Sequence, residues 1–408
     1  MERLISLFGL LVILVLAWLM SENRRRMNFR LILSGIGLQF LLALVLLRTA
    51  PGQRVFAGAR DFVARVLSFS DAGAQLVFGG DFREHYLAFS VLPTIIFVSS
   101  AMAVLFYLGI MQWVVKAMAR VMVWVMDTSG TESLAAAAEV FVGNTESPLV
   151  IRPYLETMTR SELMAMMTAG MGTVAGGVMA AYVGMGIDAG HLMAASLMAA
   201  PASLVIAKIM VPETEASPSK GTVRIEIPRI DANVIDAACR GASEGLKLAL
   251  NVAAMLIAFV ALVACLNWLL GAGCSYVMEA FGREPPAEPL TLERILGWIF
   301  SPLAWVMGVE WKDARTVGML LGKKTMLNEF LAYSDLKGLR ETLSSRSFTI
   351  ATYALCGFAN FGSVAIAIGG IGGLAPARRP VFAKYALRAM IGGSLATFMT
   401  ATIAGMLI

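Results

Sequence analysis

Ala-Ala-Glu-Val-Phe-Val-Gly-Asn-Thr-Glu-Ser-Pro-Leu-Val-Ile-Arg-Pro-Tyr, residues 137–154, and Lys-Lys-Thr-Met-Leu-Asn-Glu-Phe, residues 323–330, set carboxylates inside two apolar parts of the chain. A carboxylate at membrane depth costs about 2.5–3.5 kcal/mol on insertion scales, so such residues face a watery cavity and mark a substrate or ion path. Proline, glycine and polar neighbours argue against a continuous helix at these two places. Irregular backbone at that depth survives only inside protein or along a cavity. The two fragments therefore predict a transporter whose site is built from broken helices.

The rest of the chain agrees with a membrane setting. Only 15% of the 408 residues are charged and 58% are hydrophobic, against about a quarter charged in soluble domains. Apolar runs at about 4–20, 29–49, 91–110, 163–187, 189–211, 246–271, 347–371 and 381–407 are long enough for roughly eight spanning helices rather than barrel strands. The net charge of +5 is spread along the loops and does not form a nucleic-acid surface. Arg24, Arg25, Arg26 and Arg30 follow the first run, which places that loop in the cytoplasm and the N-terminus outside. The first run lacks a basic start and a small-residue cleavage site, so it reads as a retained helix and not a signal peptide.

Four stretches call for other readings. Gln53–Ser68 gathers Val55, Phe56, Ala59, Phe62, Val63, Val66 and Leu67 on one helical face, which suits a helix lying in the membrane interface. Met111–Met126, with Trp113, Trp124, Lys116 and Arg120, reads as an interfacial continuation of the third span. Thr131–Tyr154 and Leu292–Tyr333 read as re-entrant hairpins, supported by Gly143, Pro148, Pro302 and Gly322. Pro212–Ala242 is the most polar stretch and reads as an exposed connection. Cys239, Cys265, Cys274 and Cys356 have no metal-like spacing and are expected as core thiols, and His85 and His191 as loop or helix-end residues.

A weak internal repeat is present. Ser161–Val178 aligns without a gap to Ser347–Val364, pairing Ser161 with Ser347, Gly176 with Gly362 and Val178 with Val364. Each segment follows one acidic fragment and precedes one more apolar span. Two copies of hairpin, interrupted helix and helix predict inverted repeats meeting near the midplane. The expected division is 1–130 as scaffold helices, 131–211 as a first repeat, 212–271 as connection and scaffold helix, and 292–408 as a second repeat.

Glu146 and Glu329 hold comparable places in the two copies, and a carboxylate accepts hydrogen bonds from vicinal hydroxyls such as those of a sugar. Asn144, Thr145, Asn328, Asn360 and Ser363 add donors and acceptors that suit an uncharged polar solute, although caps and hairpin tips use the same residue types. Glu139 lies seven residues before Glu146 and would share its helical face, so it suits a cation, a proton or a basic partner. A hydroxyl from Thr173 and unwound carbonyls at Val142 and Val174 would complete a sodium shell. Phe358 would pack on a ring or belong to the core. The glycines at 369, 370, 372 and 373 lack the lysine-serine ending of a phosphate loop and favour close helix packing. Two rival functions remain open: a passive channel, and a membrane hydrolase with Glu146 and Glu329 as a carboxylate pair. No nucleophile elbow or histidine-rich motif supports the second.

These fragments resemble the concentrative nucleoside transporter family over about residues 91–408. Leu-Pro-Thr-Ile-Ile-Phe (92–97), Tyr-Leu-Gly-Ile-Met-Gln-Trp-Val (107–114) and Gly-Thr-Glu-Ser-Leu (130–134) are similar to the family's lead into its first hairpin. The stretch 143–154 resembles its Gly-Gln-Thr-Glu-Ala-Pro-Leu signature. The stretches 327–333 (Leu-Asn-Glu-Phe-Leu-Ala-Tyr), 353–363 (Tyr-Ala-Leu-Cys-Gly-Phe-Ala-Asn-Phe-Gly-Ser) and 369–376 (Gly-Gly-Ile-Gly-Gly-Leu-Ala-Pro) follow its second hairpin and next helix. The resemblance implies an all-α integral membrane protein with about eight spanning helices and two hairpins per protomer. It also implies a homotrimer in the cell inner membrane that moves nucleosides such as uridine, cytidine and adenosine with sodium or a proton by an elevator motion. It assigns Glu329, Asn360 and Ser363 to the ribose and Asn144, Thr145 and Glu146 to the nucleobase. It lines the pocket with Phe358 and Val178 and places sodium at Glu139, Val142, Thr173 and Val174. This chain has Glu139 where the family usually has asparagine, Asn144 where it has glutamine, and Ser147 where it has alanine. A carboxylate at 139 suits a proton as well as sodium.

Overall fold

The computed structural model describes residues 2–82, 87–144, 146–221, 231–284 and 289–408, and these residues form helices and no strand. In chain order the helices are α1 (Glu2–Leu19), α2 (Phe29–Arg48), α3 (Ala50–Phe78), α4 (Leu92–Tyr107), α5 (Ile110–Met126), α6 (Gly130–Glu139), α7 (Ser147–Val150), α8 (Arg160–Gly172), α9 (Gly176–Gly184), α10 (Ala189–Met210), α11 (Val234–Ala280), α12 (Leu292–Val306), α13 (Trp311–Met326), α14 (Glu329–Gly338), α15 (Ser345–Leu355), α16 (Phe361–Ile366), α17 (Gly372–Leu374) and α18 (Arg379–Leu407). Among the described residues, seven helical stretches are long and apolar enough to cross a membrane. They match seven of the eight runs expected from sequence. The run at 347–371 is divided between α15 and α16 by the break at residues 356–360. The span Arg160–Gly184 is divided in the same way between α8 and α9.

The spans sort by what covers them. Arg160–Gly184, Ala189–Met210 and Pro376–Leu407 are each 89% buried, while Val234–Ala280 is only 11% buried. The first three form a central core in which α18 and α10 lie against α8. α11 is an outer helix packed along α4. That packing is close because Gly241 and Gly245 present no side chain: a Cβ at 241 would lie 2.6 Å from Ala103 Cβ, and one at 245 would lie 2.8 Å from Ile96 Cα. α1 packs on α18 and α2 on α10.

Several expectations change in three dimensions. Residues 111–126 do not continue the third span. Gly109 adopts a left-handed φ of 83°, and the chain turns there into a separate α5 with Trp113 and Trp124 largely exposed. The stretch Leu292–Tyr333 holds three helices. α12 and α13 bend by 120° at Gly308, where φ is 101°, and the acidic tip lies between α13 and α14. α12 and α13 are thus the sharply bent pair of this stretch, and α14 is a third helix that begins at the acidic tip. Of the four cysteines only Cys356 is buried; Cys239, Cys265 and Cys274 lie on the outer α11. α3 extends beyond the amphipathic stretch read from sequence. It leaves Val55 and Phe62 exposed and sets Phe56 against Gly190 and His191. His191 is the third residue of α10, and His85 lies outside the described residues.

The base of the first hairpin is fixed by buried polar groups. α6 and α8 each begin on a capping box, Ser129 with Glu132 and Thr159 with Glu162. Lys208 of α10 reaches Glu132 at 2.7 Å, with 7% and 2% of the two side chains exposed. The segment after α10 folds back over this base. The amide of Gly130 donates to Ser219 O at 2.9 Å, and Ser217 Oγ donates to Glu162 at 2.5 Å. Part of the exposed connection expected at 212–242 is therefore docked on α6; residues 222–230 lie outside the described residues.

Candidate substrate and cation site

The two broken helices cross at their breaks. The amide of Phe358 donates to Thr173 O at 3.2 Å, joining the interruption after α15 to the one after α8. Gly357 permits the crossing: a Cβ there would lie 3.0 Å from Met171 O and 2.7 Å from a Thr397 methyl. Each hairpin tip approaches this crossing. The amide of Gly176, the first residue of α9, donates to Phe141 O at the first tip at 3.1 Å. On the other side, Lys324 of α13 is fully buried and donates to Ala354 O at 2.8 Å and Thr397 Oγ1 at 3.1 Å. Its ammonium therefore sits at the open C-terminal end of α15, where free carbonyls and the helix dipole favour a cation.

Between the tips lies a cavity of about 570 Å³, within the ~300–1,000 Å³ common for small-molecule sites. Asn144, Glu146, Val178, Glu329, Phe358, Asn360 and Ser363 all line it. Thr145 lies outside the described residues. The local structure explains several of these placements. Asn328 caps α14 by accepting from the Leu331 amide at 2.9 Å, which sets Glu329 in the first turn at the cavity wall. Asn360 caps α16 by accepting from the Ser363 amide at 2.8 Å, and its Nδ2 donates to Glu329 Oε2 at 3.0 Å. Tyr182 Oη donates to Glu329 Oε1 at 2.9 Å. The carboxylate is thus held through both oxygens. On the opposite wall, the Glu146 amide donates to Gly143 O at 3.0 Å, closing the turn of the first tip. Met102 and Phe106 of α4 and Leu248 and Met255 of α11 supply apolar lining.

A charged group rims the cavity. Arg240 of α11 donates to both carboxylate oxygens of Asp231 at 2.7 and 3.0 Å and to Glu244 at 2.9 Å. The guanidinium holds the Asp231 carboxyl below the usual carboxylate range through that hydrogen bond.

The residues read as a cation site divide between the cavity and the protein behind it. Val142 lines the cavity. Glu139, Thr173 and Val174 are buried, with 2% or less exposed. Among the described residues Glu139 Oε2 has no hydrogen-bond partner, and Oε1 faces Gly170, where a Cβ would come within 3.0 Å. A buried carboxylate oxygen without a donor fits a cation or a proton. Thr173 Oγ1 donates back to Ala169 O at 2.8 Å. Among the described residues no group of three or more His, Cys, Asp or Glu is arranged for a metal; a single carboxylate with hydroxyl and carbonyl oxygens suits a weakly held ion better.

Sequence reading overlooked Tyr182, Lys324 and Arg240. Tyr182 and Lys324 each place a polar group in an apolar helical stretch, the signal that singled out Glu139 and Glu146. Arg240 falls in a stretch read as an exposed connection, and only the long α11 brings it to the cavity.

Comparison with known proteins accords with this arrangement. Residues 8–81 and 191–405 match the N-terminal and C-terminal parts of the family described as Na+ dependent nucleoside transporter, and residues 88–189 match a nucleoside recognition domain. Solute carrier family 28 member 3 of Rattus norvegicus is 44% identical over 422 residues, covering 100% of this chain and 59% of that protein. The chain thus spans about three fifths of the length of such relatives. A Bacillus subtilis protein described as uncharacterized transporter YutK is 43% identical with all of both chains covered. The solved structure of CNTnw in an inward-facing substrate-bound state has a TM-score of 0.90 at 41% identity, covering 100% of this chain and 98% of that one. A variant of CNTnw in an outward-facing state has a TM-score of 0.92 with the same identity and coverage. With its family model matched over residues 191–405, a relative 43% identical over the full length of both chains and a solved structure that superposes along the whole chain, this multi-pass membrane protein belongs to the Na+ dependent nucleoside transporter family.

Proposed function

We propose that this protein is a symporter that accumulates nucleosides across the cell inner membrane with a sodium ion or a proton. The observation that carries the reading is the single cavity in which the first tip's Asn144 and Glu146 face the second repeat's Glu329, Asn360 and Ser363. Glu329 accepts ribose hydroxyls, Asn360 and Ser363 complete that side, and Asn144, Thr145 and Glu146 read the base. Phe358 and Val178 supply the apolar contact. Uridine, cytidine and adenosine are the test substrates.

The coupling ion belongs near Glu139, Val142, Thr173 and Val174. The family's description supports sodium. The orphaned Glu139 oxygen also supports a proton, because a carboxyl is a better proton carrier than the family's usual asparagine.

The motion is an elevator. α4 and α11 form the fixed frame of a homotrimer, whose outer surface keeps Ile257, Trp268 and Phe281 exposed for lipid or a neighbour. The two repeats travel along it. α1 and α2 travel with them, because they pack on α18 and α10, and so leave the scaffold assigned to them from sequence. The glycine face of α9 supports sliding: a Cβ at Gly177 would lie 3.2 Å from Ser99 Oγ of α4.

Uptake of radiolabelled uridine into proteoliposomes, with sodium and proton gradients imposed separately, tests the reading. Accumulation driven by one gradient names the ion, and equilibration without accumulation would establish a channel instead. Glu329→Gln is expected to abolish accumulation in either case, and wild-type-like uptake by that variant would remove the ribose role.

A further inference from the structure

We propose that Tyr182 is a positioning residue that aims the Glu329 carboxylate and thereby sets how strongly the transporter demands a complete ribose. The proposal rests on the reading of Glu329 as the ribose acceptor. Tyr182 lies on α9 and is fully buried. Its Oη donates to Glu329 Oε1 at 2.9 Å across 147 residues of sequence. The ring is clamped between side chains of α14. Its centroid is 4.4 Å from that of Tyr333 and 6.0 Å from that of Phe330. Tyr333 is itself fixed, donating its hydroxyl to Thr352 O at 2.7 Å. The phenol therefore has little freedom, and neither does the oxygen it holds.

The consequence follows from carboxylate geometry. The terminal torsion of a glutamate is broad and roughly two-fold, so an untethered carboxylate samples many orientations. An ionised carboxylate offers about four lone-pair sites. Here one site on Oε1 is taken by Tyr182 and one on Oε2 by Asn360. Those two donors fix the plane of the group, and the remaining sites are left for neighbouring hydroxyls of a sugar. Without Tyr182, Oε1 loses that donor and the carboxylate can turn on its remaining contacts with Asn360 and its own amide, so the second hydroxyl loses its partner first. Tyr182 also joins the repeats. It stands on the helix that starts just after Thr173 and Val174, so a shift of α9 at the cation site would be felt at the substrate carboxylate.

The test compares uridine with 3′-deoxyuridine in proteoliposomes. Wild-type protein is expected to favour uridine in kcat/KM. Tyr182→Phe is expected to shrink that preference by on the order of tenfold, through a higher KM for uridine with 3′-deoxyuridine little changed. In Glu329→Gln, read by competitive binding of the two nucleosides to the purified protein and not by uptake, the preference is expected to be gone, and Tyr182→Phe added to it should have no further effect on the binding ratio. A purely packing role would lower both substrates together and leave the ratio intact, which would overturn the proposal. If the Phe variant does not reach the membrane, Tyr182→Gln supplies an amide donor: a preference reduced less in it than in Tyr182→Ala supports the proposal, and equal ratios in the two overturn it. Failure of wild-type protein to take up either nucleoside, or an unchanged preference in Glu329→Gln, would instead sink the underlying reading of the site.

Discussion

Replacing Gly170 by alanine should weaken cation and nucleoside binding together. Gly170 lies in α8 with its open side toward the first hairpin tip. A Cβ there would lie 3.0 Å from Glu139 Oε1, 3.0 Å from Asn144 Cβ and 3.3 Å from Glu139 Cδ. Contacts of 3.0–3.4 Å force the neighbours back by a few tenths of an ångström. The displaced groups are one of the proposed ion ligands and one of the proposed base contacts. Overpacking of this kind costs about 1–3 kcal/mol. At about 1.4 kcal/mol per tenfold, the half-saturating cation concentration and the KM for uridine should each rise by roughly 5–150-fold. Alanine gains about 1 kcal/mol over glycine in a helix interior, so the folded protein should lose less stability than the site loses affinity. The assay is initial-rate uptake in proteoliposomes at matched protein density, titrating cation at fixed uridine and uridine at fixed cation. Thermal unfolding of the purified variant in detergent serves as the control. Wild-type values of both constants would refute the argument that Glu139 and Asn144 belong to one coupled site behind Gly170.

Two other perturbations probe separate parts of the structure. Glu139→Gln should abolish gradient-driven accumulation while nucleoside exchange at equal ion concentrations persists; accumulation that survives the substitution removes Glu139 from coupling. Lys208→Met should destabilise the protein by about 3–5 kcal/mol, because it strands Glu132 as a buried unpaired carboxylate. Adding Glu132→Gln should recover part of that loss in the same thermal-unfolding measurement, and an unchanged melting temperature in the single variant would show that the pair contributes little.

Much of the architecture is written in local pattern. The apolar runs locate seven of the described spans. The gapless pairing of Gly176 with Gly362 is met in space by two helices that restart at these glycines or one residue before them. Asn328 and Asn360 read in sequence as either solute contacts or caps, and in three dimensions each is a helix cap that also sets a cavity side chain. The stretch 292–333, which reads in sequence as one hairpin, holds two interruptions in three dimensions. The bend at Gly308 and the turn at residues 327–328 both interrupt an amphipathic stretch, and only the acidic tip distinguishes them.

The chain's residue types determine that this is a membrane protein with two interrupted regions, because the cost of placing carboxylates, prolines and glycines at depth depends on the residue and its immediate neighbours. The same residues do not determine which groups answer them. Tyr182 with Glu329, Lys324 with Ala354 and the crossing of Phe358 on Thr173 join positions 147, 30 and 185 residues apart. Those pairings exist only once the two repeats are packed together, because a hydrogen bond is decided by a few tenths of an ångström, and no local pattern carries that information.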